Sequence, residues 1–279
     1  MAGPGSAIDA LERVMADHWR ALERDHLGDW LLRACGGFTG RANSVLTVGD
    51  PGTGLPTAIA AVTAWYAARG LPPTASLPAP VEPSALPAAA PAGSRPTVAA
   101  EGPERDRARE RAAAFTAAGW QVLAGAGAYV LTASVAELAA TGAAALPGRL
   151  TLDLAAEPDA GWLAGYRYRG QELPPQARAL LLSAADQVFC SIRDGDRTVA
   201  VARGSLSGGW AGVTAVEVDP QYRRRGLARI LLGAVARWAG PAGAGSAYLQ
   251  VGDGNEAALT LYFSAGLTLH HRYDYLRPA

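Results

Sequence analysis

Val216-Glu217-Val218-Asp219-Pro220-Gln221-Tyr222-Arg223-Arg224-Arg225-Gly226-Leu227-Ala228-Arg229 is the stretch that decides the fold. Its apolar start predicts a strand that ends in a turn at Asp219-Pro220. Beyond Gly226, apolar residues recur at the spacing of a helix packed on a sheet. They are Leu227, Ile230, Leu231, Ala234, Val235 and Trp238. The stretch therefore predicts a strand, a turn and a helix in direct succession.

The start of this helix has the chemistry of a pyrophosphate site. A helix N-terminus leaves its first N–H groups without partners and carries roughly half a positive charge. Gly226 lets the backbone approach a phosphate closely, and Ala228 keeps that approach open. Four arginines add positive charge and forked donors: Arg223, Arg224, Arg225 and Arg229. The alternative is an arginine-rich turn that only solvates the helix start.

These residues resemble the Gcn5-related N-acetyltransferase (GNAT) superfamily, in which Arg/Gln-x-x-Gly-x-Gly/Ala binds the pyrophosphate of acetyl-CoA. A second GNAT element is a strand, an Asn and a helix that ends in Tyr-x-x-x-Gly-Phe/Leu. In this chain the strand is 248–251, the Asn is Asn255, and the helix end is Leu261-Tyr262-Phe263-Ser264-Ala265-Gly266-Leu267. The resemblance covers most of the last third of the chain. It implies a GNAT fold, an α/β fold with a mixed sheet, and acetyl-CoA as acyl donor.

The resemblance also assigns roles to individual residues. It implies that a backbone N–H in the strand Val216–Val218 holds the thioester oxygen, and that this strand binds the pantetheine arm. It implies that Tyr262 donates a proton to the leaving sulfur, whereas simple packing of Tyr262 on the last strand is the alternative. The implied cofactor-binding residues are Val216, Val218, Arg223, Arg224, Arg225, Gly226, Leu227, Ala228, Arg229 and Asn255. Asn255 is also placed to be a helix N-cap.

The general base is the least defined group. Some GNAT members use a Glu on the strand where this chain has Gln250, and an amide cannot accept that proton. Glu217 is the best remaining carboxylate for the role of general base, although a salt bridge to the arginines would explain its presence equally well. Catalysis through water or without a protein base stays open. Of the adjacent His270 and His271, one must face the sheet interior or cleft, as a base or as an ordinary strand residue.

Composition excludes several classes of protein. The chain has 279 residues, 49% of them hydrophobic, and a formal net charge of +0, so we expect no large nucleic-acid footprint. Cys35 and Cys190 form neither a disulfide framework nor a metal-ligand pattern, and we expect structural thiols and no metal. No apolar run is long enough for a membrane span and no leader is recognisable. We therefore expect a cytoplasmic protein.

The chain divides into two predicted domains. Residues 1–140 form an N-terminal α/β domain, and 147–279 form the acetyltransferase domain. Within the first, the Pro- and Ala-rich stretch 77–106 predicts a disordered loop. Helices that end near Gly70 and Gly119 resemble the helix that ends at Gly266. They indicate a degenerate GNAT-like copy or ordinary glycine C-caps.

Periodicity and turn residues place the remaining elements. Helices are predicted near 7–24, 57–69, 107–118 and 255–265. Strands are predicted near 29–34, 43–49, 128–133, 150–154, 187–192, 198–206, 210–218, 247–251 and 267–276. The Gly-rich segment from Asp29 to Ser44 is either a surface hairpin or a source of acceptor-site groups. No Arg-x-x-Gly-x-Ala precedes residue 150, so we expect no second acetyl-CoA there.

We predict an enzyme that moves an acetyl group from acetyl-CoA to a primary amine by direct attack in a ternary complex. The acceptor is a small molecule, an amino acid or a peptide, and the N-terminal domain shapes its pocket or a homodimer. One alternative is a non-catalytic, sensory module that binds acetyl-CoA. Another is a tandem GNAT acyltransferase of an amino-sugar thiol, similar to mycothiol synthase.

Overall fold

The structure, a computed structural model, describes residues 6–94, 96–98, 102–167 and 170–279. Contacts group the chain into two compact units. The first unit comprises Met1–Val130, Val251–Leu259 and Leu269–Ala279, and the second comprises Leu131–Gln250 and Thr260–Thr268. These units are not the same division as the predicted domains 1–140 and 147–279, since Val251–Leu259 and Leu269–Ala279 group with the first unit. The domain ranges therefore remain a prediction.

The elements alternate between helix and strand in the order expected of an α/β protein. The helices are α1 (Ala7–His18), α2 (Leu55–Ala67), α3 (Pro103–Ala117), α4 (Val135–Thr141), α5 (Ala160–Gly165), α6 (Ala177–Leu181), α7 (Leu227–Ala239) and α8 (Glu256–Ser264). The strands are β1 (Glu23–Leu27), β2 (Trp30–Ala34), β3 (Val45–Leu46), β4 (Ala75–Ala79), β5 (Trp120–Val122), β6 (Ala128–Ser134), β7 (Thr151–Ala155), β8 (Asp186–Asp194), β9 (Arg197–Ser207), β10 (Trp210–Val218), β11 (Ser246–Gly252) and β12 (Thr268–Pro278). This mixed arrangement confirms the predicted α/β class.

The sheet of the first unit contains antiparallel and parallel pairs. β1 pairs with β2, and β2 with β3, in antiparallel register. β4 runs parallel to β3 and antiparallel to β12 on its other side. Trp30 stacks on Phe115 with ring centroids 5.9 Å apart, and Phe115 meets Trp120 edge-on at 4.9 Å. This aromatic cluster holds α3 against the sheet.

The second unit repeats the same pairing scheme. β7, β8, β9 and β10 pair in antiparallel register, and β11 runs parallel to β10. The helix α7 buries Leu227, Ile230, Leu231, Ala234 and Val235, which confirms the apolar stripe predicted from their spacing. Leu231 and Val235 are 0% exposed, so α7 is held by packing.

The predicted disordered loop at 77–106 is wrong for most of its described residues. Leu77 lies within β4, and Val81 is fully buried. The Thr97 N–H donates to the Leu269 carbonyl at 2.7 Å, and α3 already begins at Pro103. Pairing of β4 on both sides compensates for the Pro residue within it. Residues 95 and 99–101 lie outside the described part.

Two further expectations for the first unit need correction. The predicted helix 7–24 ends at His18, and Glu23 starts the charged strand β1. The segment from Asp29 to Ser44 is no surface hairpin, because Trp30, Thr39 and Ser44 are buried. Asn43 organises it: its Oδ1 accepts from the Cys35 and Gly37 N–H groups, and its Nδ2 donates to two carbonyls.

Candidate active site

The candidate site begins where β10 separates from β11. Its parallel register with β11 runs from Trp210 to Val213 and ends there. Its register with β9 shifts between Thr214 and Glu217, and Ala215 adopts a left-handed φ of 54°. Beyond this β-bulge, β10 pairs with β9 again at Glu217 and Val218, whereas its register with β11 does not resume among the described residues. The second half of β10, which includes Val216 and Val218, therefore offers an open strand edge beside β11.

The turn after β10 is fixed by Asp219. Its Oδ1 accepts from the Gln221 N–H at 2.9 Å, and the Arg197 Nη2 donates to its other carboxylate oxygen at 2.6 Å. The Tyr222 hydroxyl donates to an oxygen of Asp194 at 2.8 Å. These bonds tie the turn to the β8–β9 hairpin. The path of the chain into α7 is therefore set before any ligand binds.

Gly226 is the N-cap of α7, with φ 78° and ψ 1°. No side-chain cap occupies the first N–H groups of this helix, and an added Cβ at Gly226 would meet no atom within 4 Å. Behind it Leu227 is buried, whereas Ala228 is half-buried. An uncapped helix N-terminus that opens into space can accept an anionic group.

The arginines of the motif differ in what they contact. Arg223 Nε donates to the Val218 carbonyl at 3.2 Å, and the Arg225 guanidinium lies over the Tyr222 ring at 4.9 Å. Arg224 has a left-handed φ of 63°. Arg229 Nη2 donates to the carbonyl and hydroxyl of Ser264 at 2.9 and 2.7 Å. Arg229 thus ties α7 to the end of α8, and its role in phosphate binding stays a prediction.

Glu217 is the carboxylate at the open edge of β10. Its side chain is partly buried, and burial raises its pKa above the ordinary value, while the charge of Arg223 opposes that shift. A raised pKa brings a carboxylate closer to the neutral range in which it can take up a proton from an ammonium group.

Tyr262 of α8 lies near Glu217. Burial raises the pKa of Tyr262 to about 12, and the negative charge of Glu217 adds to the shift. The phenol therefore keeps its proton at neutral pH. A carboxylate and a phenol that keeps its proton are the pair that an acid and base mechanism requires.

A cavity of about 800 Å³ opens beside Glu217 within the second unit. Gly161 and Gly165 of α5 form one wall, and Thr198 of β9 and Arg223 form others. Larger residues at 161 or 165 would collide with Thr198 or Val201 side chains. The glycines therefore let α5 approach β9 closely at the wall of the cavity.

Asn255 caps α8, as the sequence predicts: its Oδ1 accepts from the Ala258 N–H at 3.1 Å. The histidines form a buried network in the first unit. His271 is 0% exposed, with Nε2 at 3.0 Å from Glu12 Oε1 and Nδ1 at 2.7 Å from the His270 Nδ1. Burial and His271 lower the pKa of His270 to about 4. Since both nitrogens of His271 have partners, a structural role explains this pair.

Sequence reasoning missed two features of the site. The bulge at Ala215 has no local sequence signal, because tertiary pairing imposes it. Thr214 is 7% exposed, and its hydroxyl has no hydrogen-bond partner among the residues that the structure describes. The turn at Asp219, by contrast, was predicted from the Asp-Pro pair, which is typical of a turn.

Other features bear on the class of protein. Cys35 and Cys190 are buried free thiols, and burial raises the pKa of both. Within the described ranges, no cluster of three or more His, Cys, Asp or Glu residues is arranged to hold a metal ion. Among the same residues, every helix is too short or too polar to span a bilayer.

The sequence matches a protein-family model described as "Probable histone acetyltransferase Rv0428c C-terminal", over residues 5–104 and 110–276. A curated relative, the "Probable histone acetyltransferase Rv0428c" of Mycobacterium tuberculosis strain ATCC 25618 / H37Rv, is 31% identical over 277 residues. That match covers 97% of this chain and 74% of the relative.

Solved structures extend the match to the fold of the whole chain. A GCN5-related N-acetyltransferase from Kribbella flavida has a TM-score of 0.66 at 17% identity, covering 98% of this chain and 96% of its own. A tandem GNAT protein from the clavulanic acid biosynthesis pathway has a TM-score of 0.62 at 13% identity, with 99% and 88% coverage. They confirm the predicted GNAT fold. The chain therefore belongs to the Rv0428c C-terminal family of probable acetyltransferases and is GNAT-like along its whole length.

Proposed function

We propose that the protein transfers an acetyl group from acetyl-CoA to a primary amine by direct attack in a ternary complex. The observation that carries the proposal is the convergence, in the second unit, of an open strand edge, an uncapped helix N-terminus and the Glu217–Tyr262 pair. Each supplies one requirement of acyl transfer: donor binding, phosphate binding and proton transfer.

The site fits acetyl-CoA at two points. The space in front of Gly226 and the unoccupied N–H groups of α7 suit a pyrophosphate, with Arg223, Arg224 and Arg225 nearby in the chain. The edge from Val216 to Val218 suits the amide groups of a pantetheine arm, which can pair with it as an added strand. Acetyl-CoA would supply the acetyl thioester.

The residues of the chain then act in order. The Glu217 carboxylate accepts a proton from the ammonium group of the acceptor, so that the amine can attack the thioester carbon. The Val216 N–H stabilises the oxygen as it becomes negative. The new C–N bond replaces the C–S bond, the Tyr262 hydroxyl donates its proton to the departing sulfur, and the proton that the attacking nitrogen loses as it becomes an amide restores the Tyr262 hydroxyl. The cavity beside Glu217 receives the acceptor.

Turnover with a panel of amines tests this proposal. The panel contains amino acids, aminoglycosides, an amino-sugar thiol and, because the Mycobacterium relative's name includes histone, lysine peptides. We expect acetyl-CoA consumption with at least one acceptor. Acetyl-CoA binding without consumption across the whole panel would favour a sensory module. Turnover confined to the amino-sugar thiol would favour a tandem GNAT acyltransferase of such a thiol.

Two variants test the proton transfers. Tyr262→Phe removes the hydroxyl and keeps the ring, so kcat should fall by about 10²–10⁴-fold while acetyl-CoA affinity stays unchanged. Glu217→Gln should lower kcat/KM most strongly above the raised pKa of Glu217, where the parent carboxylate is ionised, and the difference should shrink at the acidic end, where that carboxylate is protonated. A rate equal to that of the parent in the Phe variant would show that another group donates the proton.

A further inference from the structure

The strand, loop and helix that carry the candidate site occur a second time in the first unit. There, β3 leads through the loop Thr47–Gly54 into α2, and β4 then runs parallel to β3. In the second unit, β10 leads through Asp219–Gly226 into α7, and β11 runs parallel to β10. Both units therefore place a helix N-terminus after a strand that has a parallel neighbour.

The two loops also share their turn chemistry. Asp50 Oδ1 accepts from the Gly52 N–H at 2.8 Å, as Asp219 Oδ1 accepts from the Gln221 N–H at 2.9 Å. Proline follows each Asp, and glycine is the N-cap of both helices. Gly54 of α2 makes no side-chain cap bond. Pro56 has no N–H group, so the Leu55 and Thr57 N–H groups at the start of α2, a helix of 13 residues, are left for another acceptor.

A cavity of about 850 Å³ lies over this helix start, within the first unit. Its loop carries no arginine, and positive charge comes from other helices. Arg13 of α1 and Arg107 and Arg111 of α3 line the cavity together with Gly54 and Leu55. Three arginines and a helix N-terminus therefore line one space.

Arg111 is the second sign of a ligand. The residue is only 7% exposed, and its Nε has no hydrogen-bond partner among the described residues. Its Nη2 lies 3.5 Å from the Pro78 carbonyl, at the limit of a hydrogen bond. A buried guanidinium with an unmet donor is costly. An oxyanion in the cavity that Arg111 lines would compensate for that cost.

Carboxylates line the same cavity, and they divide into two groups. Asp29 accepts from the Asp50 N–H at 3.0 Å and lies 4.0 Å from Arg13, and Asp50 accepts from Gly52, so both serve the loop. Asp9 and Glu110 are the other two carboxylates in the lining. They put negative charge beside the arginines, which favours a ligand that also carries a positive group.

We propose that this cavity binds a small zwitterion. Its phosphate or carboxylate group lies at the N-terminus of α2 and Arg111, and its ammonium group faces Asp9 and Glu110. The site is independent of acetyl transfer in the second unit, since it shares no residue with the candidate active site.

Calorimetric titration of the full-length chain tests the site with defined probes. O-Phosphoethanolamine and γ-aminobutyrate are the phosphate and carboxylate zwitterions. Inorganic phosphate and ethanolamine are the separate halves of the first, and butyrate and propylamine are those of the second. We expect one zwitterion to bind at least about tenfold more tightly than either half, the equivalent of one added charge-assisted contact. The zwitterion that binds with the higher affinity shows whether the site prefers a phosphate or a carboxylate group.

Variants at exposed Arg107 and at Asp9, which is 7% exposed, locate the ligand. Arg107→Gln and Asp9→Asn should each weaken binding about tenfold or more. Arg109→Gln is the matched control on the same helix, because Arg109 pairs with Glu82 and does not line the cavity. Gly226→Ala should leave zwitterion binding unchanged, which separates this site from the acetyl-CoA site.

Three results would overturn the proposal. The first is that neither zwitterion binds the folded parent. The second is that phosphate binds as tightly as O-phosphoethanolamine, which would remove the role of Asp9 and Glu110. The third is that Arg107→Gln and Asp9→Asn bind like the parent, which would place the ligand elsewhere. Melting by circular dichroism verifies that each variant is folded.

Discussion

Replacing Gly226 by alanine, beside the matched variant Gly209→Ala, separates phosphate contact from backbone strain. The two glycines have nearly the same left-handed φ, 78° and 76°, and an added Cβ meets no atom within 4 Å at either position. Both belong to the second unit. Gly209 lies in the hairpin turn between β9 and β10, whereas Gly226 caps α7.

The stability cost follows from the dihedral angles alone. An L-residue in the left-handed region costs about 1–2 kcal/mol, and no steric term is added here. Each variant should therefore lose about that much free energy of unfolding. For a protein of this size, the melting temperature should fall by roughly 2–4 °C for each kcal/mol. The two variants should be equally destabilised.

Acetyl-CoA affinity should separate the two variants. At Gly226 the new methyl group enters the space in front of the uncapped N–H groups of α7. A hydrogen bond to a charged group contributes about 1.5–3 kcal/mol, so loss of two such bonds weakens binding by at least about 100-fold. Gly209→Ala should bind within about twofold of the parent. Calorimetric titration of the three proteins measures both values.

The reasoning would be refuted if Gly226→Ala bound acetyl-CoA as tightly as the parent while its melting temperature fell as expected. It would also fail if both variants lost affinity equally, because strain and not phosphate contact would then explain the loss.

Three other predictions concern packing and titration. Gly142→Ala would put a Cβ 2.4 Å from the Gly233 Cα where α4 crosses α7, so it should lower the free energy of unfolding by about 1–3 kcal/mol. The control Gly245→Ala meets no atom within 4 Å and should cost little, and equal melting temperatures of the two variants would contradict this. Burial raises the pKa of Glu217, so the stabilising contribution of its protonated form is lost as pH rises through that pKa; Glu217→Gln should gain melting temperature relative to the parent at pH 7 and lose that advantage near pH 4. The pKa of His270 is lowered to about 4, so the unfolded chain binds more protons than the folded chain below pH ~6.5. The free energy of unfolding of the parent should therefore fall by up to ~3 kcal/mol as the pH is lowered from ~6.5 to about 4. His270→Asn should flatten this pH dependence, and an unchanged dependence would show that another group titrates.

The elements of the candidate site could be predicted because their signals are local. The period of α7 and the Asp-Pro turn at Asp219 lie within one short stretch of sequence, and the chain folds there as that stretch indicates. β4 could not be found in this way. Its Pro and Ala residues favour a loop, and only its pairing with β3 on one side and β12 on the other makes it a strand.

The finer geometry of the site also depends on distant residues. The bulge at Ala215 arises because Thr214 and Glu217 pair with Arg203 and Val201 of β9, and no residue in the bulge announces it. The pKa of Glu217 depends on how deeply the fold buries it. The sequence therefore indicated a carboxylate on β10 next to the arginine-rich loop, whereas the tertiary structure determines the pKa of that carboxylate.

The two loops show why one ligand site was visible in the sequence and the other was not. In the second unit, the positive charge is part of the loop itself, at Arg223–Arg225, so a motif reveals it. In the first unit, the charge comes from Arg13, Arg107 and Arg111, which the fold brings together from two helices. Since Asp9 and Glu110 accompany them, the same helix start is tuned for a zwitterion, whereas the arginine-rich loop suits a polyanion such as a pyrophosphate. In these two proposals, the strand, loop and helix place a binding site at the same point in both units, and the neighbouring residues determine the charge of its ligand.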